Sequence, residues 1–207
     1  MDEPLKTLAD LKGLDREEVY EHLNYLQYHQ EIREWLYLNV NREEWGHRSP
    51  GYYSPSSLPY CARKMYYQRI GIERRPQLFA STRVTFAMGH KLHDMVQGWL
   101  SDCMGTAYEA EVPLVDEELH IRGTADAIIT LHAQRRLQEI KSISFKGYAT
   151  LASPQSAHVL QASCYAYMAD CPIVDYVYIN KNTGEIKQFP TRFDKVAWRK
   201  ALDKLER

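Results

Sequence analysis

The chain has no long apolar run. Nothing in its 207 residues approaches the roughly 18 to 20 consecutive apolar side chains of a membrane-spanning helix, which excludes a helical membrane protein. The opening MDEPLKTLAD is acidic and lacks the basic-then-apolar order of an export signal, so a soluble, cytoplasmic protein is expected. Cysteine is scarce: Cys61, Cys103, Cys164 and Cys171 stand apart with no CxxC pair, a spacing that argues against a zinc cage. They are expected as reduced thiols, some of them buried. There is no internal repeat and no low-complexity tract. Nor does one charge dominate, since the formal net charge is only −1.

What is present is enough apolar side chain, 44%, to build a core without disulfides. The near-neutral total hides an uneven distribution. Residues 1–48 hold eleven acids against six bases, so the remainder carries +4. Bases gather between Arg63 and Lys91, where they could neutralise phosphates or simply form a solvated surface.

Asp15 and Glu18 have the spacing of a capping box and open a predicted helix to about Leu38. Arg48 to Pro59, rich in Ser, Pro and Gly, reads as a linker. It separates a helical extension, 1–48, from a body spanning 49–207. Helices are expected over Leu58–Ile70 and Thr82–Ser101, the second with Met88, Leu92, Met95, Val96 and Leu100 on one stripe. Tyr108–Val115 and His120–Leu131 read as strands, with Ile121, Ala125, Ala127, Ile129 and Leu131 on one side. A turn at His132–Arg135 leads into a strand over Arg136–Ser142. Ser153 and Pro154 should cap a helix ending near Asp170. Two strands, Val174–Asn180 and Glu185–Pro190, and a helix from Asp194 complete an α/β body. Its central sheet should be mixed and flanked by helices.

The chemistry concentrates in GTADAIITLHAQRRLQEIKSIS. Glu139 and Lys141 are two apart on one strand and project from one face, while Ile140 turns into the core. If the preceding strand pairs with theirs, Asp126 reaches the same place. Two adjacent carboxylates repel each other and invite a hard divalent cation held by oxygens. Such a cation polarises a phosphoryl oxygen and acidifies water. Lys141 could orient or deprotonate that water, or stabilise charge on phosphorus. Alone, an ExK triplet is more often an exposed ion pair than a site.

The surrounding motifs give this one its context. SPSSLPYCARKMYYQRIGI is followed in order by Gly89-x-x-x-His93, Gly123-x-x-Asp126, Glu139-Ile140-Lys141-Ser142 and Gln161-x-x-x-Tyr165. This series resembles the RecB-like branch of the PD-(D/E)XK nucleases, which includes CRISPR-associated and phage exonucleases. The resemblance implies a restriction-endonuclease-like core and a DNA exonuclease using Mg2+ or Mn2+. His93, Asp126, Glu139 and the Ile140 backbone carbonyl would be metal ligands, and Lys141 would be catalytic beside Asp126 and Glu139. Gln161, Tyr165 and, less specifically, Arg63 or Lys64 would touch the DNA.

An endonuclease of the same superfamily shares the catalytic motif. A nucleic-acid-binding module with a dead site is the other reading, although each candidate ligand is intact. Members carrying an iron–sulfur cluster use one cysteine in the opening motif and three near the C-terminus. Here Cys61 has the first place but no cysteine follows Cys171, so no cluster is expected and Cys61 should be a small buried residue. Residues 1–48 lie outside the resemblance and could pack on the fold, self-associate or meet a protein partner.

Overall fold

The computed structural model describes Glu17, residues 50–72 and residues 79–206. The helix expected over 15–38 lies outside these residues, apart from Glu17, which is helical. The chain divides into two units, Met1–Trp45 with Leu78–Val84, and Gly46–Gln77 with Thr85–Arg207; the sheet lies in the second. None of the described helices is long and apolar enough to cross a membrane.

Five strands form one sheet in sequential order: β1 (Tyr108–Asp116), β2 (Ile121–Leu131), β3 (Gln134–Ile143), β4 (Ile173–Asn180) and β5 (Ile186–Arg192). Neighbours pair antiparallel except β3 and β4, which are parallel. The α/β class with a mixed sheet is therefore as expected. The turn between β2 and β3 is only His132-Ala133, with φ of 50° and 62°. That is the left-handed pair a two-residue hairpin demands, built here without Asn or Gly. The parallel step from β3 to β4 needs a crossover. It is made by α3 (Phe145–Ala149), which was not expected, and α4 (Ser156–Met168). The other helices are α1 (Ala62–Arg69), α2 (Ala80–Met104) and α5 (Lys195–Leu205).

Both faces of the sheet are covered. Ala162, Tyr165 and Ala166 of α4, with Ala169 just past its end, pack with Leu137, Val174, Tyr176 and Tyr178. On the other side Val96 of α2 packs with Ile140, Val177 and Ile179. Leu100 and Met104 continue onto Tyr108, Ala127 and Ile129. Leu137 and Ile140 have opposite parity on β3, so the two helices lie on opposite faces.

Several local expectations are corrected. The segment 48–59 is not a free linker where it is described. Tyr53 donates its N–H to the His120 carbonyl (2.7 Å) and accepts from Arg122 N (3.0 Å), while Pro55, Ser57 and Leu58 are buried. Composition signalled a loop, but tertiary pairing uses it as an extra edge on β2. Cys61 is exposed at the N-cap of α1, and Met65, one turn on, takes the core position. Helix α4 begins at Ser156 with Gln155 as N-cap, two residues past Ser153, and the Gln155 N–H donates to Tyr178 Oη at 3.0 Å. On α2, Met88 and Met95 are exposed, and the covered face is Leu92, His93, Val96, Gln97 and Leu100. On β2, Leu131 is exposed, and Ala125 packs with Ile128 rather than with Ala127 and Ile129. The period-two alternation thus slips at Asp126.

Away from that slip, β3 and β4 are clamped by a bidentate pair. Arg136 Nε and Nη2 donate to Asp175 Oδ2 and Oδ1 at 2.6 and 2.7 Å, and the Asp175 side chain is only 3% exposed. Removing one partner strands a buried charge, whereas replacing both leaves nothing unpaired. Arg136→Met should therefore lower unfolding free energy by about 3 kcal/mol in a urea titration. Adding Asp175→Leu should recover most of that loss; equal midpoints for both single and double variants would refute the stranded charge.

Candidate active site

The site grows from an interruption in the sheet. β2 and β3 pair only from Leu131↔Gln134 to Ala127↔Gln138. β1 pairs with β2 on both sides of Glu111 and Asp126 but not at them, and Glu111 has φ of 50°. Past Gln138, β3 continues in register with β4 alone. The two strands therefore fork at Asp126 and Glu139. The Ile140 N–H, freed from β2, is taken by a side chain: it donates to Asp126 Oδ2 at 2.7 Å. A buried N–H must find a partner, and here it fixes a carboxylate at the fork.

From β3, Lys141 Nζ stands 3.9 Å from Asp126 Oδ2 and lies in contact with Glu139 Oε1. Glu139 and Lys141 share a face and Ile140 is fully buried on the other, as the spacing predicts. From α2, His93 Nδ1 lies 4.0 Å from Asp126 Oδ2. The glycine one turn earlier allows the approach, since a Cβ on Gly89 would stand 3.2 Å from Ser142 Oγ. Gln97, one turn later, donates through Nε2 to the Asp126 carbonyl at 2.7 Å and to Glu111 Oε1 at 2.8 Å. Gln97 was not singled out from sequence. Its only signal was its place at i+4 from His93.

The other face is closed by α4. Tyr165 is buried and Gln161, a turn earlier, is half-buried. A Cβ on Gly123 would come within 2.6 Å of Tyr165 Oη and 2.9 Å of Pro55 Cδ. The glycine of one motif, the tyrosine of another and the proline of the opening motif are thus one packing unit. His158 and Tyr178, also unforeseen, adjoin it: His158 Nδ1 lies 2.9 Å from Tyr178 Oη, and Tyr178 pairs across the ladder with Lys141. Arg63 and Lys64 are exposed on α1, and no described contact joins Arg63 to the cluster; Lys64 lies over the Tyr60 ring.

The electrostatics follow from burial. Glu139 is wholly buried, and burial raises its carboxyl to about 7, with Asp126 adding and Lys141 opposing. Burial works against the Lys141 ammonium, but Glu139 and Asp126 outweigh it and hold its pKa above the ordinary value. Burial lowers His93 despite the pull of Asp126. Tyr165 is pushed up by burial, then by Glu139 and Asp126, and stays protonated.

Among the described residues no three His, Cys, Asp or Glu side chains close into a ready cation cage. The donor chemistry nevertheless fits a hard cation. Neither Glu139 oxygen meets a donor in hydrogen-bonding geometry, although Oε1 touches Lys141. A buried carboxylate oxygen with no partner, as Oε2 is, is what an oxygen-coordinated ion satisfies, and Mg2+ commonly takes one or two carboxylates with waters and phosphate.

This arrangement of strands recurs in solved structures. One is SSO0001, with a TM-score of 0.59 at 20% identity over 84% of this chain and 86% of that one. Another is the alkaline exonuclease LHK-Exo of Laribacter hongkongensis, with a TM-score of 0.56 at 12% identity over 75% of this chain and 84% of that one. A third is a phage-related exonuclease from Haemophilus somnus, with a TM-score of 0.51 at 12% identity over 75% and 90% of the two chains. The fold is the one these exonucleases share. No protein-family model and no curated protein matches the sequence.

The Glu139 proton has a consequence for stability. Between the ordinary value of 4.5 and about 7 the folded chain keeps a proton that the unfolded chain releases. The favourable contribution is therefore complete below 4.5 and is lost as pH rises through 7. In chelator, Glu139→Gln should be more stable than the parent at pH 8, by on the order of 2 kcal/mol. The two should converge towards pH 4.5. Thermal unfolding across that range decides it, and a variant less stable at pH 8 would contradict the buried-charge account.

Proposed function

We propose that this chain is a divalent-metal-dependent deoxyribonuclease of the PD-(D/E)XK superfamily, RecB-like branch, acting as an exonuclease. One observation carries the reading: Asp126, Glu139 and Lys141 meet at the sheet fork, with His93 arriving from the opposite helix. The fold neighbours support it, two of them being exonucleases and one having been solved in complex with dAMP. A nucleoside monophosphate is the unit an exonuclease releases.

Asp126, Glu139 and His93, with the Ile140 carbonyl, would hold Mg2+ or Mn2+, whose charge would polarise the phosphoryl group and acidify water. The chain's own contribution is positioning. The Ile140 N–H and Gln97 fix Asp126 at both its carboxylate and its backbone, so the acceptor does not reorganise during the reaction. Lys141, held as an ammonium, suits charge stabilisation on the pentavalent phosphate and orientation of water better than proton abstraction. Gln161, half-buried on the same face, offers an amide to the DNA strand, while Tyr165, buried against Gly123 and Pro55, holds that face of the helix in place rather than meeting the strand. Arg63 and Lys64 supply backbone attraction at longer range. The Cys61 position needs no iron–sulfur cluster in this scheme.

The test is cleavage of end-labelled linear DNA and closed circular DNA in Mg2+, Mn2+ and chelator. Metal-dependent loss of the linear substrate alone is expected, and Lys141→Ala should slow it by about 10³-fold or more while leaving the fold intact. Nicking of the circle would move the activity to an endonuclease with the same residues. DNA binding without cleavage under any metal would leave a binding module and defeat the proposal.

A further inference from the structure

Tyr178 is fully buried on β4, yet its phenol has two polar neighbours. The Gln155 N–H donates to Oη at 3.0 Å, and His158 Nδ1 lies 2.9 Å from the same atom. Proton accounting decides how the second contact is made. If Nδ1 carried a proton, Oη would accept twice and its own O–H would be buried with no acceptor among the described residues. An orphaned buried hydroxyl is costly. With the phenol donating to Nδ1, each group is satisfied. The imidazole must then carry its proton on Nε2.

Three further facts put His158 beside the candidate site. His158 is half-buried. It stands three residues before Gln161 and seven before Tyr165, on the stripe of α4 that closes the candidate site. Tyr178 is the cross-ladder partner of Lys141. Burial, with the Lys141 charge adding to it, lowers His158 to about 4, so the ring is neutral at physiological pH.

Resting on the nuclease reading of the same site, we infer that His158 is a substrate-phosphate ligand. Tyr178 fixes it as the Nε2–H tautomer, and it donates to a non-bridging oxygen of the strand beside Lys141. A neutral donor suits this place: it orients the phosphate without adding a second cation against Lys141. Tyr178 is the positioning residue that acts through it.

The experiment compares two amides. In His158→Gln the amide nitrogen falls near the lost Nε2; in His158→Asn it falls near Nδ1. Kd for a short labelled DNA oligonucleotide is measured in chelator, and KM and kcat are measured in Mg2+. Ring 15N shifts of His158 are recorded for the parent and for Tyr178→Phe. The parent should show the Nε2–H tautomer, and Tyr178→Phe should shift the ring towards a tautomer mixture. The Gln variant should keep Kd and KM within about threefold of the parent, and Asn should raise both by about tenfold or more, kcat changing less.

An Nδ1–H parent, or Gln and Asn variants with the same Kd, would overturn the inference. Failure of the nuclease reading looks different, since the parent would then cleave nothing. The tautomer and the Gln–Asn difference in Kd would still be read.

Discussion

The hydrogen bond from the Ile140 N–H to Asp126 Oδ2 is the contact on which the rest of the site depends. In an unbroken sheet that N–H would belong to a strand neighbour. Here β2 and β3 part company after Gln138, and a carboxylate stands in for the missing strand. The substitution satisfies the backbone and anchors the acid in one operation, at a position where side chains from both faces of the sheet can reach it. His93 comes from the α2 face, and Glu139 and Lys141 from the face under α4. A continuous sheet would keep these groups apart by its own thickness. The fork makes one cluster of them.

That arrangement has a cost in stability, and the cost is localised. Glu139 is fully buried with its oxygens unmet by hydrogen-bond donors, and a carboxylate in that position prefers its proton. The sheet tolerates it because the surroundings are rigid. Tyr176 and Tyr178 flank it across the parallel ladder, and the Arg136–Asp175 clamp ties the same two strands near their starts. A buried acid whose Oε2 has no partner and whose Oε1 has only Lys141 is the mark of a site poised for a charged visitor.

The sequence was legible where the physics is local. Parity alone places Glu139 and Lys141 on one face with Ile140 in the core, and the succession of strands and helices along the chain follows from hydrophobic spacing and turns. It was illegible where tertiary contact overrides local signal. Apolar spacing on α2 points to Met88, Leu92, Met95, Val96 and Leu100, of which Leu92, Val96 and Leu100 are covered and the two methionines are exposed. The covered face also takes in His93 and Gln97, whose polarity reflects the site they serve. The Ser- and Pro-rich run before α1 has a loop's composition, but Tyr53 pairs with β2 and Pro55 packs beside Gly123. Nothing in residues 121–131 announces that alternation will slip at Asp126. That slip depends on β3 leaving, which is a long-range event.

The scattered motifs can therefore be understood as parts of one mechanical problem. Gly89 brings α2 close to β3 at Ser142, so that His93, one turn on, reaches Asp126. Gly123 leaves room for Tyr165 and Pro55 on the opposite face. Each glycine is required by an approach on its own side of the fork, and neither is in a left-handed conformation. A side chain at either would push one layer away and open the site from that side, without touching any group that bears charge. The loops between these two glycines and the cluster can vary in length, whereas each approach needs a residue without a side chain, because the contact at Gly89 or Gly123 is made between layers.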